Sequence, residues 1–195
     1  MKKLATLLLC MVILLSGCAG TARPEDALPA GDVWETIEEA YIYAFPLVLM
    51  DATMTSATNT EEPVPGKAPV NQFMHGVALA NAQFKNVVSP NVDTIYSQAW
   101  YDLCEEPMVY VLPETDRFCK VQVLDAWTNT AAVLDRAGAY AITRSNWSGD
   151  LPEDVVRIDV PTAMAWSITR TVLSGEADLP NVYAIQAGMK LLPLS

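Results

Sequence analysis

Histidine is almost missing from this sequence, since His75 is the only one among 195 residues. A histidine-rich metal site is therefore excluded, and a serine-hydrolase triad would have to depend on His75. A lone histidine without a recognisable arrangement of cysteine, serine and aspartate around it is typical of a structural residue. We accordingly predict no metal and no cofactor.

The common catalytic motifs are also missing. The sequence contains no G-x-S-x-G elbow, no H-E-x-x-H, no glycine-rich phosphate loop and no C-x-x-C pair. An enzyme built from these residues would have to depend on carboxylates. The absence of these motifs leaves it uncertain whether the protein is an enzyme and favours a protein without catalytic activity.

Basic residues are scarce, with 12 Lys and Arg against 23 Asp and Glu, for a formal net charge of −11. An acidic surface repels phosphate backbones and anionic lipid headgroups. No basic patch interleaved with aromatic residues occurs. The composition therefore excludes nucleic acid as a partner.

The N-terminal residues "MKKLATLLLCMVILLSGCAG" have the pattern of a bacterial export signal. Two lysines precede an apolar run that is too short to span a bilayer comfortably. Leu15-Ser16-Gly17-Cys18 resembles a lipoprotein box, which predicts a signal peptide over residues 1–17 and lipidation with palmitate or similar chains at Cys18. The alternative is an ordinary secretory signal that happens to contain Cys18. Ala19 favours the outer membrane, so we expect an envelope lipoprotein that faces the periplasm.

Cysteine is also rare, with four in the chain. Cys10 lies in the signal and Cys18 is the lipidation site, which leaves Cys104 and Cys119. In an oxidising compartment these two are candidates for a disulfide that closes a loop of about 16 residues. The alternative is a pair of buried free thiols.

Residues 18–31 contain small residues and two prolines, and are predicted to be a tether before a single domain at 32–195. A helix is predicted from Asp32, with Pro46 as a kink or an end. Its tyrosines and phenylalanine are expected to pack in a core. Helical character is also expected at 73–84 and near 179–190. The first helix has an apolar stripe at helical spacing, made of Val33, Ile37, Tyr41, Ala44 and Val48.

The centre of the chain is rich in strand-forming residues and short turns. Closely spaced strands joined by short turns favour antiparallel pairing over βαβ units. The fold class is therefore predicted to be α+β, an antiparallel β-rich, sandwich-like centre with an N-terminal helical region and a C-terminal helix. The predicted strands are 93–103, 107–112, 117–125, 138–143, 155–160 and 163–172.

The stretch "VVSPNVDTIYSQAWYD", residues 87–102, is the strongest candidate for a pocket wall. Asp93 and Asp102 are an odd number of residues apart, so a regular strand places them on opposite faces and excludes them as a catalytic pair. A simpler interpretation of "SPNVDT" is a turn in which Asn91 caps the strand entry. Arginines in the apolar strands are expected to pair with Asp93, Asp102 or Asp125. The candidate ligand-binding residues are Asn91, Asp93, Tyr96, Arg117, Asp125 and Trp127.

An ordered series of segments resembles the bacterial family called domain of unknown function 1254: "EAYIYAFPLVLM", "NQFMHG", "VVSPNVDTIYSQAWYDL", "PETDRF", "VQVLDAWTN" and "PNVYAIQAGMKLLPL". The resemblance covers about residues 32–194. It implies an exported or cell-envelope protein with a β-rich domain and flanking helices, and it brings no reaction and no catalytic residues. Such proteins usually continue into a second domain, whereas this chain stops at "LLPLS" as a stand-alone version or a truncated gene.

The sequence thus favours a lipid-anchored envelope domain that binds a small molecule, a glycan or a protein partner. One alternative is a carboxylate-based hydrolase acting on envelope or imported carbohydrate, which requires Asp93 and Asp125 to face one cleft. Another is a structural subunit of an envelope assembly.

Overall fold

A computed structural model of the chain describes residues 33–85 and 87–195. The signal peptide, Cys18 and the tether predicted at 1–31 lie outside the described residues. The described residues fall into two units, residues 33–44 and Phe45–Ser195. Every strand of the described residues lies in the second unit.

Helix α1, Val33–Thr58, contains Pro46 and continues past it, so the proline does not end the helix. No residue of α1 is buried. The aromatic side chains that were expected to pack in a core are exposed instead, with Tyr41 at 64%, Tyr43 at 69% and Phe45 at 48% exposure. Thr53 and Thr58 each donate a side-chain hydrogen bond to the carbonyl one turn earlier, which satisfies their hydroxyls within the helix.

Nine strands and one further helix follow within the part of the chain that the structure describes. The strands are β1 (Phe73–His75), β2 (Thr94–Asp102), β3 (Met108–Leu112), β4 (Cys119–Asp125), β5 (Thr130–Leu134), β6 (Gly138–Arg144), β7 (Val155–Val160), β8 (Met164–Val172) and β9 (Lys190–Pro193). A short 3-10 helix, Glu176–Asp178, leads into helix α2, Leu179–Gly188.

The strands form two sheets, in the orders β1-β2-β8-β4-β5 and β7-β6-β3-β9. All pairings are antiparallel except β6 with β7, which are parallel. The predicted α+β class with a sandwich-like centre is confirmed. Alternating burial along β3 and β4 places one face of each sheet in a shared core.

The core between the sheets contains polar side chains, and each is hydrogen-bonded. The Tyr110 hydroxyl of β3 lies 2.7 Å from Thr169 Oγ1 of β8, which links the two sheets. Within the larger sheet, the Tyr101 hydroxyl lies 2.6 Å from Ser167 Oγ. Burial raises the pKa of both tyrosines, so both phenols stay protonated at neutral pH.

Three of the strands were not predicted from the sequence. The segment 73–84 is not helical: its first residues form β1, which pairs antiparallel with β2, and the rest is irregular. Strand β5 was not predicted, although Thr130–Leu134 pairs with β4. The predicted C-terminal helix is confirmed at Leu179–Gly188, whereas the residues after it form β9 against β3, a strand that was not predicted.

The predicted disulfide is absent, since Cys104 and Cys119 are both free thiols. The two lie near opposite ends of β8. Cys104 follows the end of β2, where Asp102 pairs with Met164, whereas Cys119 pairs with Thr171. At about 3.3 Å per residue, these β8 positions are about 23 Å apart, far beyond the span of a disulfide.

Neither helix among the described residues is long and apolar enough to cross a membrane.

Candidate functional site

A cleft of about 460 Å³ lies at one end of the sandwich. It is formed where two connections cross from one sheet to the other. Residues 113–118 lead from β3 to β4, and residues 135–137 lead from β5 to β6. The two connections lie side by side because Leu112 pairs with Gly138 across the smaller sheet and Val121 with Leu134 across the larger one.

The cleft has an apolar base and charges of both signs. Leu112 and Cys119 are buried at the ends of their strands, and both line the cleft. Lys120 pairs with Asp135 over 3.6 Å at the surface. Among the described residues, the remaining charged side chains of the cleft outside the Arg117 pair make no salt bridge, and these are Glu114, Asp116 and Arg136.

Arg117 is the one residue of the predicted candidate set that lines this cleft. Its guanidinium donates to both carboxylate oxygens of Asp178, at 2.6 and 3.1 Å, and to the carbonyl of Val172 at 3.3 Å. The expectation that Arg117 would pair with Asp93, Asp102 or Asp125 was therefore wrong. Asp178 also accepts from Ser174 N and Asn181 Nδ2.

The Arg117–Asp178 pair is structural in its geometry. The hydrogen bonds from Arg117, and then those from Asn181 and Ser174, hold the pKa of Asp178 well below its ordinary value. A carboxylate held ionised by four donors is not suited to act as a general acid or base near neutral pH. The pair instead ties the start of α2 to the end of β8 beside the cleft.

Cys119 supplies a thiol at the base of the cleft, and that thiol is not activated. Burial raises the pKa of Cys119, and a contact of 3.4 Å with Thr171 Oγ1 offsets this only partly. Nucleophilic cysteines need a lowered pKa, so Cys119 has the properties of a core residue.

Asn91 and Asp93 lie near the same end of β8 as Arg117, on the β2 side. The Asn91 side chain accepts hydrogen bonds from Asp93 N, Thr94 N and Thr94 Oγ1, which confirms the predicted capping turn. Asp93 is exposed, and its carbonyl accepts from Leu173 N. The first part of "VVSPNVDTIYSQAWYD" is thus a turn, held by hydrogen bonds to the Asn91 side chain, that leads into β2.

Tyr96 lies on the outer face of the larger sheet, away from the core. It pairs with Arg170 across β2 and β8, and the guanidinium of Arg170 lies 5.6 Å from the centroid of its ring. Arg170 also donates to Gln122 Oε1 at 3.2 Å. Tyr96 therefore packs in a cross-strand polar and aromatic row.

Asp125 and Trp127 lie at the opposite end of β8 from Asp93. Asp125 pairs with Ala165, whereas Asp93 contacts Leu173. At about 3.3 Å per residue these positions are about 26 Å apart, so the structure does not bring Asp93 and Asp125 together as an acid–base pair.

The carboxylate of Asp125 is 3% exposed and organises its own turn. It accepts from Trp127 N at 2.8 Å, Asn129 N at 2.9 Å and Asn129 Nδ2 at 3.0 Å. These donors hold the β4–β5 hairpin, in which Thr128 has a positive φ of 66°. Asp125 therefore has a structural role.

His75 contacts Ser97, with 2.8 Å between His75 Nδ1 and Ser97 Oγ. Ser97 is 1% exposed, so no substrate reaches its hydroxyl, and Gln186 Nε2 lies 3.4 Å from the same oxygen. Burial lowers the pKa of His75, which keeps its imidazole neutral near pH 7. His75 and Ser97 are close enough for a catalytic dyad, but the Ser97 hydroxyl is not accessible to a substrate, as a nucleophile must be.

Within residues 33–85 and 87–195, no group of three His, Cys, Asp or Glu side chains gathers closely enough to hold a metal ion.

Most of the cleft residues are not apparent from the sequence. The stretches "PETD" and "DRAG" were predicted as turns, and Glu114, Asp116 and Arg136 were not predicted as site residues. The signal was the charge in both turns, but only the pairing of β3 with β6 brings those turns together. Turn composition alone does not reveal that pairing.

Comparison with solved structures finds a similar fold in the crystal structure of the VPA0106 protein from Vibrio parahaemolyticus. The TM-score is 0.66 and the two sequences are 19% identical. The match covers 83% of this chain and 38% of that chain, so this chain spans well under half the length of that protein. No curated protein is similar enough to this chain to count as a match.

The family model described as "Protein of unknown function (DUF1254)" matches residues 70–193. This range includes every strand of both sheets and helix α2. The resemblance noted in the sequence is thereby confirmed, and the chain belongs to the DUF1254 family.

Proposed function

We propose that this protein is a cell-envelope module that binds a small, polar, charged molecule in the cleft between residues 113–118 and 135–137. The observation that carries the proposal is the cleft itself, whose volume of about 460 Å³ lies within the range of about 300 to 1,000 Å³ common for small-molecule sites.

The chemistry of the cleft indicates which groups a ligand would present. Arg136 is exposed at the rim, and a guanidinium prefers carboxylate or phosphate oxygens. Glu114 and Asp116 on the facing connection would accept hydrogen bonds from hydroxyl or ammonium groups. The Arg117–Asp178 pair fixes the wall of the cleft and leaves these three side chains for the ligand.

A thermal-shift screen of single compounds tests this proposal. Amino acids, dicarboxylates, polyamines and monosaccharides are each added to the full chain, and at least one is expected to raise the melting temperature. Substitution Arg136→Ala should weaken its binding by about tenfold or more, because a hydrogen bond to a charged group is lost. The matched control is Arg144→Ala, because Arg144 lies at the other end of β6.

Equal binding to Arg136→Ala and to Arg144→Ala would contradict the assignment of the cleft. Absence of binding by every compound class would count against a small-molecule module and in favour of the structural-subunit alternative. The carboxylate-based hydrolase is not proposed further, because Asp93 and Asp125 flank opposite ends of β8.

A lipid anchor at Cys18 forms the second part of the proposal. The lipoprotein box supports it, together with an apolar run of signal-peptide length. Two or more acyl chains on one residue suffice for stable attachment to a bilayer. The alanine at position 19 favours the outer membrane and a domain that faces the periplasm.

Membrane fractionation tests the anchor. The wild-type protein should sediment with the outer membrane and incorporate labelled palmitate, whereas Cys18→Ser should lose both properties. The exchange Ala19→Asp should shift the lipidated protein to the inner membrane. Palmitate incorporation into Cys18→Ser would refute lipidation at this residue.

A further inference from the structure

The ligand cleft has unpaired charges of both signs, and they lie on different connections. Of the charged side chains that line it, Arg117 and Asp135 are already held in ion pairs. The others make no salt bridge with any described residue, and these are Glu114 and Asp116 on one connection and Arg136 on the other. A ligand in the cleft therefore meets two carboxylates from residues 113–118 and a guanidinium from residues 135–137.

The base of the cleft is apolar and carries no charge. Leu112 is 2% and Cys119 is 5% exposed, and Pro113 and Ala137 add further apolar surface beside them. Burial raises the pKa of Cys119, so its thiol stays protonated and neutral near pH 7. A charged group loses hydration against such a surface, whereas an apolar group gains by leaving water. The base therefore fits an apolar part of a ligand, and the charged groups of the ligand stay at the rim.

Hydrogen bonds restrain the backbone of both connections before a ligand binds. On the first connection, the Arg117 side chain is held by Asp178, and its amide donates to Thr115 Oγ1 at 3.3 Å. On the second, the Tyr140 hydroxyl donates to the carbonyl of Arg136 at 2.7 Å. Because both segments are already restrained, binding loses less conformational entropy than it would in free loops.

The charges and the base discriminate among the classes of small molecule. Arg136 can pair with one carboxylate of a dicarboxylate, and the other is repelled by Glu114 and Asp116. A polyamine has no carboxylate for Arg136 and no apolar end for the base. A sugar finds no ring to stack on, since no Trp, Tyr or Phe is among the described residues that line the cleft. A molecule with one ammonium, one carboxylate and one aliphatic group matches every part of the cleft.

We propose that the cleft binds an α-amino acid with an aliphatic side chain. The carboxylate of the amino acid pairs with Arg136, and its ammonium pairs with Glu114 and Asp116. Its side chain contacts Leu112 and Cys119 at the base. This inference rests on the proposed function of the cleft and names the class of ligand that the cleft takes.

Isothermal titration calorimetry of the full chain with L-leucine and three analogues tests the ligand class. Leucinamide lacks the carboxylate, N-acetylleucine lacks the ammonium, and glycine lacks the side chain. Leucine should bind at least about tenfold more tightly than each analogue, because each analogue loses one of the three contacts. Equal affinity for leucine and any one of the analogues would overturn the assignment.

Two charge variants assign each end of the amino acid to its connection. Arg136→Ala should weaken the binding of leucine about tenfold but should not weaken that of leucinamide, which has no carboxylate to lose its partner. Glu114→Gln with Asp116→Asn should likewise weaken the binding of leucine and not that of N-acetylleucine. The matched control, Glu153→Gln with Asp154→Asn, neutralises two carboxylates in the β6–β7 connection and should leave the binding of leucine unchanged. Circular dichroism should show that all variants stay folded, since the substituted side chains are exposed.

The possible outcomes separate this inference from the proposed function on which it rests. If leucine fails to bind while another compound of the thermal-shift screen binds and depends on Arg136, the cleft is still a ligand site and the amino-acid class is wrong. If leucine binds the wild type and both charge variants equally, it binds outside the cleft and the assignment is overturned. If no compound of any class binds, the inference and the proposed function are both wrong.

Discussion

At the scale of single residues, the polar side chains near the ends of β8 mostly stabilise turns and connections through hydrogen bonds. Asn91 caps the entry to β2, Asp125 holds the β4–β5 hairpin, and Asp178 holds Arg117. Each was noticeable in the sequence because a polar residue in an apolar setting needs a partner. The same requirement is met by ligands and by backbone groups, so residue type alone does not separate a binding site from a turn.

His75 provides a pH-dependent test at this scale. Its pKa is lowered by burial from an ordinary value of 6.5. Stability is therefore fully present above pH 6.5 and falls as the pH drops towards the folded-state pKa, because the unfolded state takes up the proton first. The loss is at most about 1.4 kcal/mol per pH unit in that window.

The measurement is urea unfolding of the wild type and of His75→Gln at about pH 7.5 and about pH 5.5. We expect the wild type to lose more stability between these two pH values than His75→Gln loses, since only the wild type has an imidazole to protonate. An equal loss in both proteins would show that His75 does not titrate in this window.

At the scale of elements, turn chemistry was predicted better than strand pairing. The turns around 113–118 and 135–137 were identified, yet their proximity depends on β3 pairing with β6, which lies beyond two intervening strands. Strand β5 was missed because polar and apolar residues alternate little in "TAAVL". Strand β1 was missed because it is only three residues long and the residues after it have a helical pattern. In both segments, pairing with a neighbouring strand decides the structure.

The attachment of α2 depends on the ion pair at its start. Substitution Asp178→Asn removes the charge that Arg117 contacts, at 2.6 Å in the wild type. Hydrogen exchange of the α2 amides should become several-fold faster, while the amides of β4 and β8 keep their protection. The Asp178 pKa lies below its ordinary value of 3.8, so the pair is fully formed above that pH and is lost as the pH falls through the folded-state pKa.

Exchange measured by mass spectrometry near neutral pH checks this expectation. The matched control is Asp159→Asn, because Asp159 pairs with Arg157 on β7, at a different edge of the fold. Acceleration of α2 by the control variant would show that the effect is not local to Asp178.

At the scale of the whole molecule, the two sheets are joined by a hydrogen bond as well as by apolar packing. Tyr110 is fully buried in β3, and its hydroxyl contacts Thr169 of the other sheet. Tyr110→Phe leaves the Thr169 hydroxyl without this buried partner and should lower the free energy of unfolding by about 1 to 3 kcal/mol.

The double variant Tyr110→Phe with Thr169→Val should recover part of that loss, because both polar groups are then removed. The control Tyr183→Phe removes an exposed hydroxyl that donates to Val77 O, so it should cost less than about 0.5 kcal/mol. Urea unfolding measures all three variants. A similar cost for Tyr110→Phe and Tyr183→Phe would show that the link between the sheets is not important for stability.

The class of the fold and six of the nine strands follow from sequence pattern, because alternation and turn residues are local properties. The ligand cleft does not, because it depends on which strands are neighbours. Helix α1 illustrates the same limit: the helical spacing of its apolar residues is visible in the sequence, but their exposure is not, because exposure depends on what packs against them.

The position of β8 in the sequence affects the order in which the protein can fold. It is the middle strand of the larger sheet, yet its pairing residues lie roughly 60 to 80 residues after those of β2, and such distant pairing makes folding slow. A segment of the chain that ends before β8 contains β2 and β4 but lacks the strand that lies between them in the sheet. The larger sheet therefore cannot close until β8 has been synthesised.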